Sequence, residues 1–117
     1  MSAGRDVSQL FSDVLKLMQT KDLKLKKLID IFLTSNAQGN SDQALLCVNA
    51  LEMDSNDKDS AIIRANAIRT MGSVATPDTC EYFTGPVSRG LNDSDPFVRK
   101  CAATCVAKLF KIKKEAV

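Results

Sequence analysis

The sequence predicts an all-α protein built as an α-solenoid, a superhelical stack of about three helix pairs. Three observations lead to this prediction. Apolar residues recur at spacings of three and four along most of the chain, no stretch alternates as a strand would, and one short motif occurs three times. The 117 residues, 44% hydrophobic and 26% charged, fit one folded domain rather than a disordered tail. We place the helix pairs at about residues 7–38, 41–76 and 77–110.

The first pair combines a short helix with a longer one. The short helix, residues 7–18, carries an apolar face of Leu10, Phe11, Val14, Leu15 and Met18. Asp22 is placed to cap the second helix, and Gly39 is placed to end it. The apolar face between them holds Leu25, Leu28, Ile29, Phe32 and Leu33.

The second pair begins at a serine and has a second cap in its middle. Ser41 is predicted to cap its first helix, which buries Leu45, Val48 and Leu51. Either Asp59 or Ser60 is predicted to cap the next helix. One side of that helix holds Ile63, Ala67, Thr70, Met71 and Val74.

The third pair contains a proline inside its first helix. Residues 77–91 begin with Pro77 and Asp78, and Gly85-Pro86 lies in the middle. Because an interior proline removes a backbone hydrogen bond, we expect one helix kinked at this point. Asp95 then caps the last helix, with Pro96 at its first position. The buried stripe of that helix holds Phe97, Val98, Cys101, Ala102, Cys105, Val106 and Leu109.

A repeated motif relates the three pairs to one another. An apolar residue and a basic residue are followed, after two intervening residues, by a small or apolar one. This pattern begins at Leu25-Lys26, Ile63-Arg64 and Val98-Arg99, each time in the second helix of a pair. The intervals fall within the roughly 20–50 residues typical of stacked helical repeats. Because the chain ends where a fourth pair would begin, we expect it to be a piece of a longer protein.

The composition excludes several classes of function. Histidine is absent, so this chain cannot form Ser-His-Asp or Cys-His catalytic sites or histidine metal sites. Aromatic residues make up only 5%, and the net charge is +2, which argues against nucleic acid as a partner. We expect neither an enzyme nor a cofactor. With no signal-peptide pattern at the N-terminus, we expect a cytosolic protein.

The four cysteines are Cys47, Cys80, Cys101 and Cys105. Their spacing follows no CxxC pattern, and they lie within helical segments. We interpret them as reduced core thiols, since free cysteine behaves as a small buried hydrophobe. Disulfide pairing and a half metal site at Cys101 and Cys105 are the less favoured alternatives.

The helix pairs resemble HEAT and armadillo-like repeats, most clearly at Asp93–Lys100, and the chain more specifically resembles the N-terminal trunk of beta-adaptins. This likeness runs from about Val7 to about Leu109. Asn66 departs from it, since the family usually has an apolar residue there. The residues that carry the resemblance are Leu25-Lys26-Lys27-Leu28, Ile63-Arg64-Ala65, Ile68-Arg69-Thr70-Met71-Gly72, Glu81-Tyr82, Asp95-Pro96-Phe97-Val98-Arg99-Lys100 and Cys105-Val106-Ala107-Lys108-Leu109.

The resemblance implies a non-catalytic scaffold: part of the trunk of an adaptor-complex beta subunit in clathrin-dependent, vesicle-mediated protein transport, including endocytosis. The implied partners are a second large, a medium and a small adaptor subunit. Clathrin would bind through regions outside this chain. The implied location is peripheral, on the cytosolic face of trans-Golgi, endosomal or plasma membranes, in coated pits and vesicles. The alternative is an independent HEAT-repeat scaffold of another pathway.

A cluster of lysines is the candidate membrane contact. Lys24, Lys26 and Lys27 are candidates to bind anionic lipid, with phosphoinositide as the expected headgroup, because the resemblance places basic patches near the start of such subunits. The alternative is an ordinary solvated helix face, balanced by Asp22 and Asp30.

Two arginines occupy equivalent points in successive repeats. We expect Arg64 and Arg99 to pair with acidic turn residues such as Asp57 and Asp93 and so to set the stacking angle of the repeats. The alternative is that they hold an acidic group of a partner.

Overall fold

The computed structural model describes residue 10 and residues 13–36, 41–77 and 79–116. The described part is helical and contains no strand, which confirms the all-α prediction. Within the predicted first helix, residues 7–9, 11 and 12 lie outside the described residues, as do Gly39 and Asp78. The helices are α1 (Leu23–Asn36), α2 (Ser41–Ser55), α3 (Ala61–Val74), α4 (Thr84–Leu91) and α5 (Pro96–Ala116), with short 3-10 helices at Leu17–Gln19 and Cys80–Phe83.

Side-chain caps begin three of the helices as predicted. The Asp22 carboxylate accepts hydrogen bonds from the backbone N–H groups of Lys24 and Leu25, at 2.9 and 3.1 Å. Ser60, rather than Asp59, caps α3, since its hydroxyl accepts from the Ile63 N–H at 3.2 Å. At α5 the Asp95 carboxylate accepts from the Phe97 N–H at 2.8 Å. Each such cap stabilises its helix by about 1 kcal/mol.

The predicted kink at Gly85-Pro86 is wrong. The segment instead forms a 3-10 helix, Cys80–Phe83, that passes directly into α4 at Thr84. Pro86 therefore lies in the first turn of an α-helix, where backbone N–H groups have no acceptor within the helix. The proline costs no hydrogen bond at this position, and the change of helix type replaces the expected bend.

The helices form two layers, with the second helices of the three pairs side by side in one of them. In that layer α3 packs between α1 and α5, and in the other α2 packs against α4 and the 3-10 helix before it. The Cα atoms occupy a slab of 47 × 39 × 16 Å. Such a stack of helix pairs is the predicted α-solenoid. Its core includes the fully buried side chains of Leu33, Leu51, Met71, Phe83 and Val98.

All four cysteines are free and buried, so the prediction of reduced core thiols is confirmed. Burial raises the pKa of the Cys47 thiol to about 12 and that of Cys105 to about 11. Within the described ranges, no group of three acidic or sulfur ligands could hold a metal ion. Nor does any described helix have the length and hydropathy needed to cross a bilayer.

Candidate functional site

The three lysines proposed to contact lipid have different environments. Lys24 and Lys27 are exposed on α1. Lys26 is only 3% exposed, and its ammonium donates hydrogen bonds to the Asp54 carboxylate and the Met18 carbonyl, both at 2.7 Å. These contacts join the first helix pair to the second. The inclusion of Lys26 among the lipid contacts is therefore corrected, because its charge is already neutralised inside the protein.

A second ion pair adjoins the first. The Lys21 ammonium donates to the Asp57 carboxylate. This hydrogen bond lowers the pKa of Asp57, aided by the backbone N–H groups of Asp59 and Ser60, and it raises the pKa of Lys21. The pKa of Asp54 shifts in the opposite direction from that of Asp57. Burial raises its pKa although Lys26 opposes that effect, so the neighbouring ammonium compensates only part of the cost of burying this carboxylate.

Arg64 makes the corresponding contacts between the second and third pairs. Its Nε and one terminal nitrogen donate to the two carboxylate oxygens of Asp93 at 2.9 and 3.1 Å, and the other terminal nitrogen donates to the Asp57 carbonyl at 2.9 Å. The pair is mostly buried, with 17% and 13% of the two side chains exposed. The hydrogen bond lowers the pKa of Asp93 and raises that of Arg64.

Arg99 shares the position in the repeat, but its predicted pairing with an acidic side chain is wrong: within the described residues it forms no ion pair and hydrogen-bonds its own turn. Its terminal nitrogen donates to the carbonyls of Asp93 and Ser94 at 2.7 and 3.1 Å. One rule thus describes these three cations: the basic side chain of each second helix donates a hydrogen bond to a backbone carbonyl of the short segment before that helix. Lys26 and Arg64 also bind an aspartate of the following pair. We call Lys26, Arg64 and Arg99 the cation row. Asp54 and Asp93 are its acidic partners.

The membership of Lys26 in the cation row could have been found from the sequence. The repeat motif aligns Lys26 with Arg64 and Arg99, which were assigned a structural role. The signal was present, but the neighbouring Lys24 and Lys27 made the segment resemble a solvated basic patch. Position within the repeat, rather than local charge density, decides which lysine is buried.

A groove lined mainly by charged and hydroxyl-bearing residues, which we call the polar groove, lies between α1, α3 and α5. It has a volume of about 410 Å³ and was not predicted, because its residues lie far apart in the sequence. Its charged lining residues are Lys27, Asp30, Arg69 and Lys108. Burial is the main cause that raises the pKa of Asp30 to about 7.

An apolar groove lies at the far side of the third pair, between α4 and α5. It has a volume of about 260 Å³. Leu91, Val106 and Phe110 line it, and all three are more than 40% exposed. An apolar surface of this kind, next to polar solenoid faces, is suited to contact with another protein element.

Comparison with known proteins agrees with this architecture. The family model described as the adaptin N terminal region matches residues 1–117. The chain is 44% identical over 117 residues to AP-1 complex subunit beta of Dictyostelium discoideum and to AP-1 complex subunit beta-1 of Homo sapiens. It is 39% identical over 112 residues to AP-3 complex subunit beta of Dictyostelium discoideum.

These matches cover 96–100% of the chain but only 10–12% of each of the three relatives. The chain therefore spans about 12% of the length of the AP-1 beta subunits that it matches. The resemblance to beta-adaptins seen in the sequence is confirmed by this agreement along the chain. The chain belongs to the adaptin N-terminal family.

Proposed function

We propose that this chain forms part of the trunk of an adaptor-complex beta subunit and acts there as a non-catalytic scaffold in clathrin-dependent, vesicle-mediated protein transport. The observation that supports this proposal best is the match of residues 1–117 to the adaptin N-terminal model, together with 44% identity to AP-1 beta subunits. The relatives compared above are adaptor subunits, which favours this function over an independent scaffold of another pathway.

The cation row supplies the mechanical basis of such a scaffold. Arg64 joins the turn before its own helix to the turn of the next pair, and Lys26 makes the equivalent connection one pair earlier. Because a bidentate arginine–carboxylate pair fixes orientation as well as distance, Arg64 sets the angle between the second and third pairs. Arg99 makes no such connection in the described part of the chain, where its guanidinium holds its own turn through the carbonyls of Asp93 and Ser94.

The partners in this proposal are a second large, a medium and a small adaptor subunit, which bind the exposed layers and edges of the solenoid. The apolar groove at Leu91, Val106 and Phe110 is one surface available for such contact. The assembled complex acts on the cytosolic face of trans-Golgi, endosomal or plasma membranes. Clathrin binding belongs to regions outside this chain.

Affinity purification tests the assembly. A tagged form of the protein, expressed in its own cells at native level, is expected to retain a medium and a small adaptor subunit identified by mass spectrometry. A Lys58→Ala variant, altered at an exposed position outside the apolar groove, serves as the control and should retain the same subunits. Recovery without any adaptor subunit would contradict the proposal.

Anionic lipid remains a proposed contact of Lys24 and Lys27, which are exposed on α1 about one turn apart. Each basic residue near an anionic membrane contributes about 1 kcal/mol. The double substitution Lys24→Gln, Lys27→Gln should therefore weaken co-sedimentation with phosphoinositide vesicles. The control pair Lys100→Gln, Lys111→Gln removes equal charge from α5. Binding that is unaffected by the first pair, or weakened equally by both, would refute the lipid contact.

A further inference from the structure

The polar groove between α1, α3 and α5 concentrates positive charge that the fold does not neutralise. Lys27, Arg69 and Lys108 line it, one from each helix of the layer. None of the three forms an ion pair with an acidic residue in the part of the chain that the structure describes. Lys26 and Arg64, by contrast, are matched by carboxylates. The cations that hold the fold together are paired, and those that face the groove are available to a ligand.

Arg69 is held in place by the buried side-chain amide of Asn66. Its terminal nitrogen donates to the Asn66 side-chain oxygen at 3.0 Å, and Asn66 is only 4% exposed. The Asn66 amide nitrogen has no hydrogen-bond partner in the described structure. Burying an amide with one unpaired group is costly, so this position opposes stability. The amide oxygen is what orients Arg69, which makes Asn66 a positioning residue for the groove.

Lys108 is positioned by the absence of a side chain on α3. A Cβ at Gly72 would lie 3.1 Å from Cδ of Lys108 and 3.3 Å from Sγ of Cys105. The bare glycine therefore lets the Lys108 stem lie directly against α3, where Lys108 lines the groove. Two of the three cations thus have an identifiable structural reason for their placement.

The size and lining of the groove define the ligand class. Its volume of about 410 Å³ lies in the range of small-molecule sites, about 300–1,000 Å³. The remaining lining is largely hydroxyl-bearing, from Thr34, Ser35, Thr70 and Ser73. Lysine supplies point charges and arginine a planar donor fork, and both suit phosphate oxygens.

We propose that this groove binds the phosphate monoester group of a small molecule through Lys27, Arg69 and Lys108. The three cations outnumber the single carboxylate, Asp30, so the lining carries an excess of positive charge that a phosphate dianion balances. This proposal does not depend on adaptor assembly, since it concerns only residues of this chain.

Asp30 adds a pH dependence to the site. Burial raises its pKa to about 7, so the carboxylate loses its charge near neutral pH and stops opposing an anion. Affinity for sulfate, whose own charge is constant over this range, should rise as the pH falls from 8 to 6. Asp30→Asn should remove that rise. The charged groups that face Asp30 or share its groove are Lys26 and Lys27 of α1, Asp54 of α2, Arg69 of α3 and Lys108 of α5.

Titration of the 117-residue chain with sn-glycerol 3-phosphate, followed by amide NMR shifts, tests the proposal. Shifts are expected at the groove residues of α1, α3 and α5. The triple variant Lys27→Gln, Arg69→Gln, Lys108→Gln should lose affinity about tenfold, which corresponds to about 1.4 kcal/mol. The control Lys58→Gln, Lys100→Gln, Lys111→Gln removes the same charge outside the groove and should stay within about twofold of the parent.

Vesicles distinguish the source of the phosphate group. Phosphatidic acid carries the same monoester as glycerol 3-phosphate but presents it at a membrane surface. Binding to either probe that falls in the groove variant and not in the control supports the site, and the preferred probe identifies a soluble or a lipid source. Circular dichroism verifies that each variant is folded. Absence of binding to both probes, or equal losses in the two triple variants, would overturn the proposal.

A positioning variant provides a second test. Gly72→Ala should displace the Lys108 stem and weaken binding by about threefold, a fraction of the effect of removing all three charges. Gly85→Ala, at a glycine whose added Cβ would meet only an arginine side chain at 3.6 Å, is the matched control and should leave binding unchanged. Full affinity in the folded Gly72→Ala protein would contradict the assigned role of Lys108.

Discussion

The substitution Lys26→Met removes one charge of the cation row and keeps the apolar stem of the side chain. Lys26 is 3% exposed and bonded to Asp54 and to the Met18 carbonyl, so its loss leaves a largely buried carboxylate without a partner. Breaking a buried ion pair in this way costs about 3–5 kcal/mol. Because 14% of the Asp54 side chain is exposed, we expect the lower end, about 3 kcal/mol in the free energy of unfolding.

Urea denaturation at two pH values measures this effect. The pKa of Asp54 is already raised by burial, and loss of the Lys26 hydrogen bond should raise it further. A group whose pKa is higher in the folded state favours folding at low pH and loses that contribution as the pH rises. The destabilisation of the variant, relative to the parent, should therefore be larger at pH 8 than at pH 5.

The exposed neighbour Lys24 provides the matched control. Lys24→Met should change the free energy of unfolding by no more than about 0.5 kcal/mol, as is usual for surface positions. If Lys26→Met is as mild as this control, or if its effect does not change with pH, then the cation row does not join the first two helix pairs as described.

Three further predictions concern other elements. Arg64→Leu should lower the free energy of unfolding, measured by urea denaturation, by about 2 kcal/mol because it leaves Asp93 without its partner. Arg99→Leu, at an exposed position, should cost under about 0.5 kcal/mol, and equal effects of the two substitutions would contradict the difference in their contacts. Gly90→Ala should cost about 1–3 kcal/mol, since its Cβ would lie 2.6 Å from a side-chain carbon of α3. Gly85→Ala, whose Cβ would make only an ordinary 3.6 Å contact with the Arg89 side chain, should not destabilise, and a harmless Gly90→Ala would refute the close packing of α4. Asp30→Asn should stabilise the chain more at pH 8 than at pH 5, because the raised pKa of Asp30 opposes folding once the carboxylate ionises; identical thermal shifts at both pH values would contradict this.

The local signals in the sequence predicted most of the fold. Asp22 and Asp95 were recognised as caps because a short acidic side chain directly precedes an apolar helical stripe, and both accept the expected backbone hydrogen bonds. Pro86 misled the prediction, since its effect depends on where the helix begins. A 3-10 turn ending at Phe83 places the proline in the first turn of α4, and no spacing rule in the sequence shows that boundary.

The candidate sites were harder to predict because they depend on contacts between helices. Lys26 could be assigned to the row by its repeat position, yet only the packing of α1 against the second pair shows that Asp54 lies within reach. The polar groove required knowing that Arg69 and Lys108, far apart in the chain, approach Lys27 across three helices. Periodicity predicted most of each helix face, but Leu28 of the predicted apolar face of α1 and Phe97 and Val106 of the predicted buried stripe of α5 are 41–64% exposed. The residues that lie opposite each face cannot be read from periodicity.

A double-mutant cycle between Arg64 and Asp93 tests most directly whether the cation row couples successive helix pairs. Unfolding free energies would be measured for the parent, Arg64→Leu, Asp93→Leu and the double variant. The bidentate, mostly buried pair predicts a coupling energy of about 1.5 kcal/mol or more. A coupling energy near zero would contradict a scaffold held in register by this row.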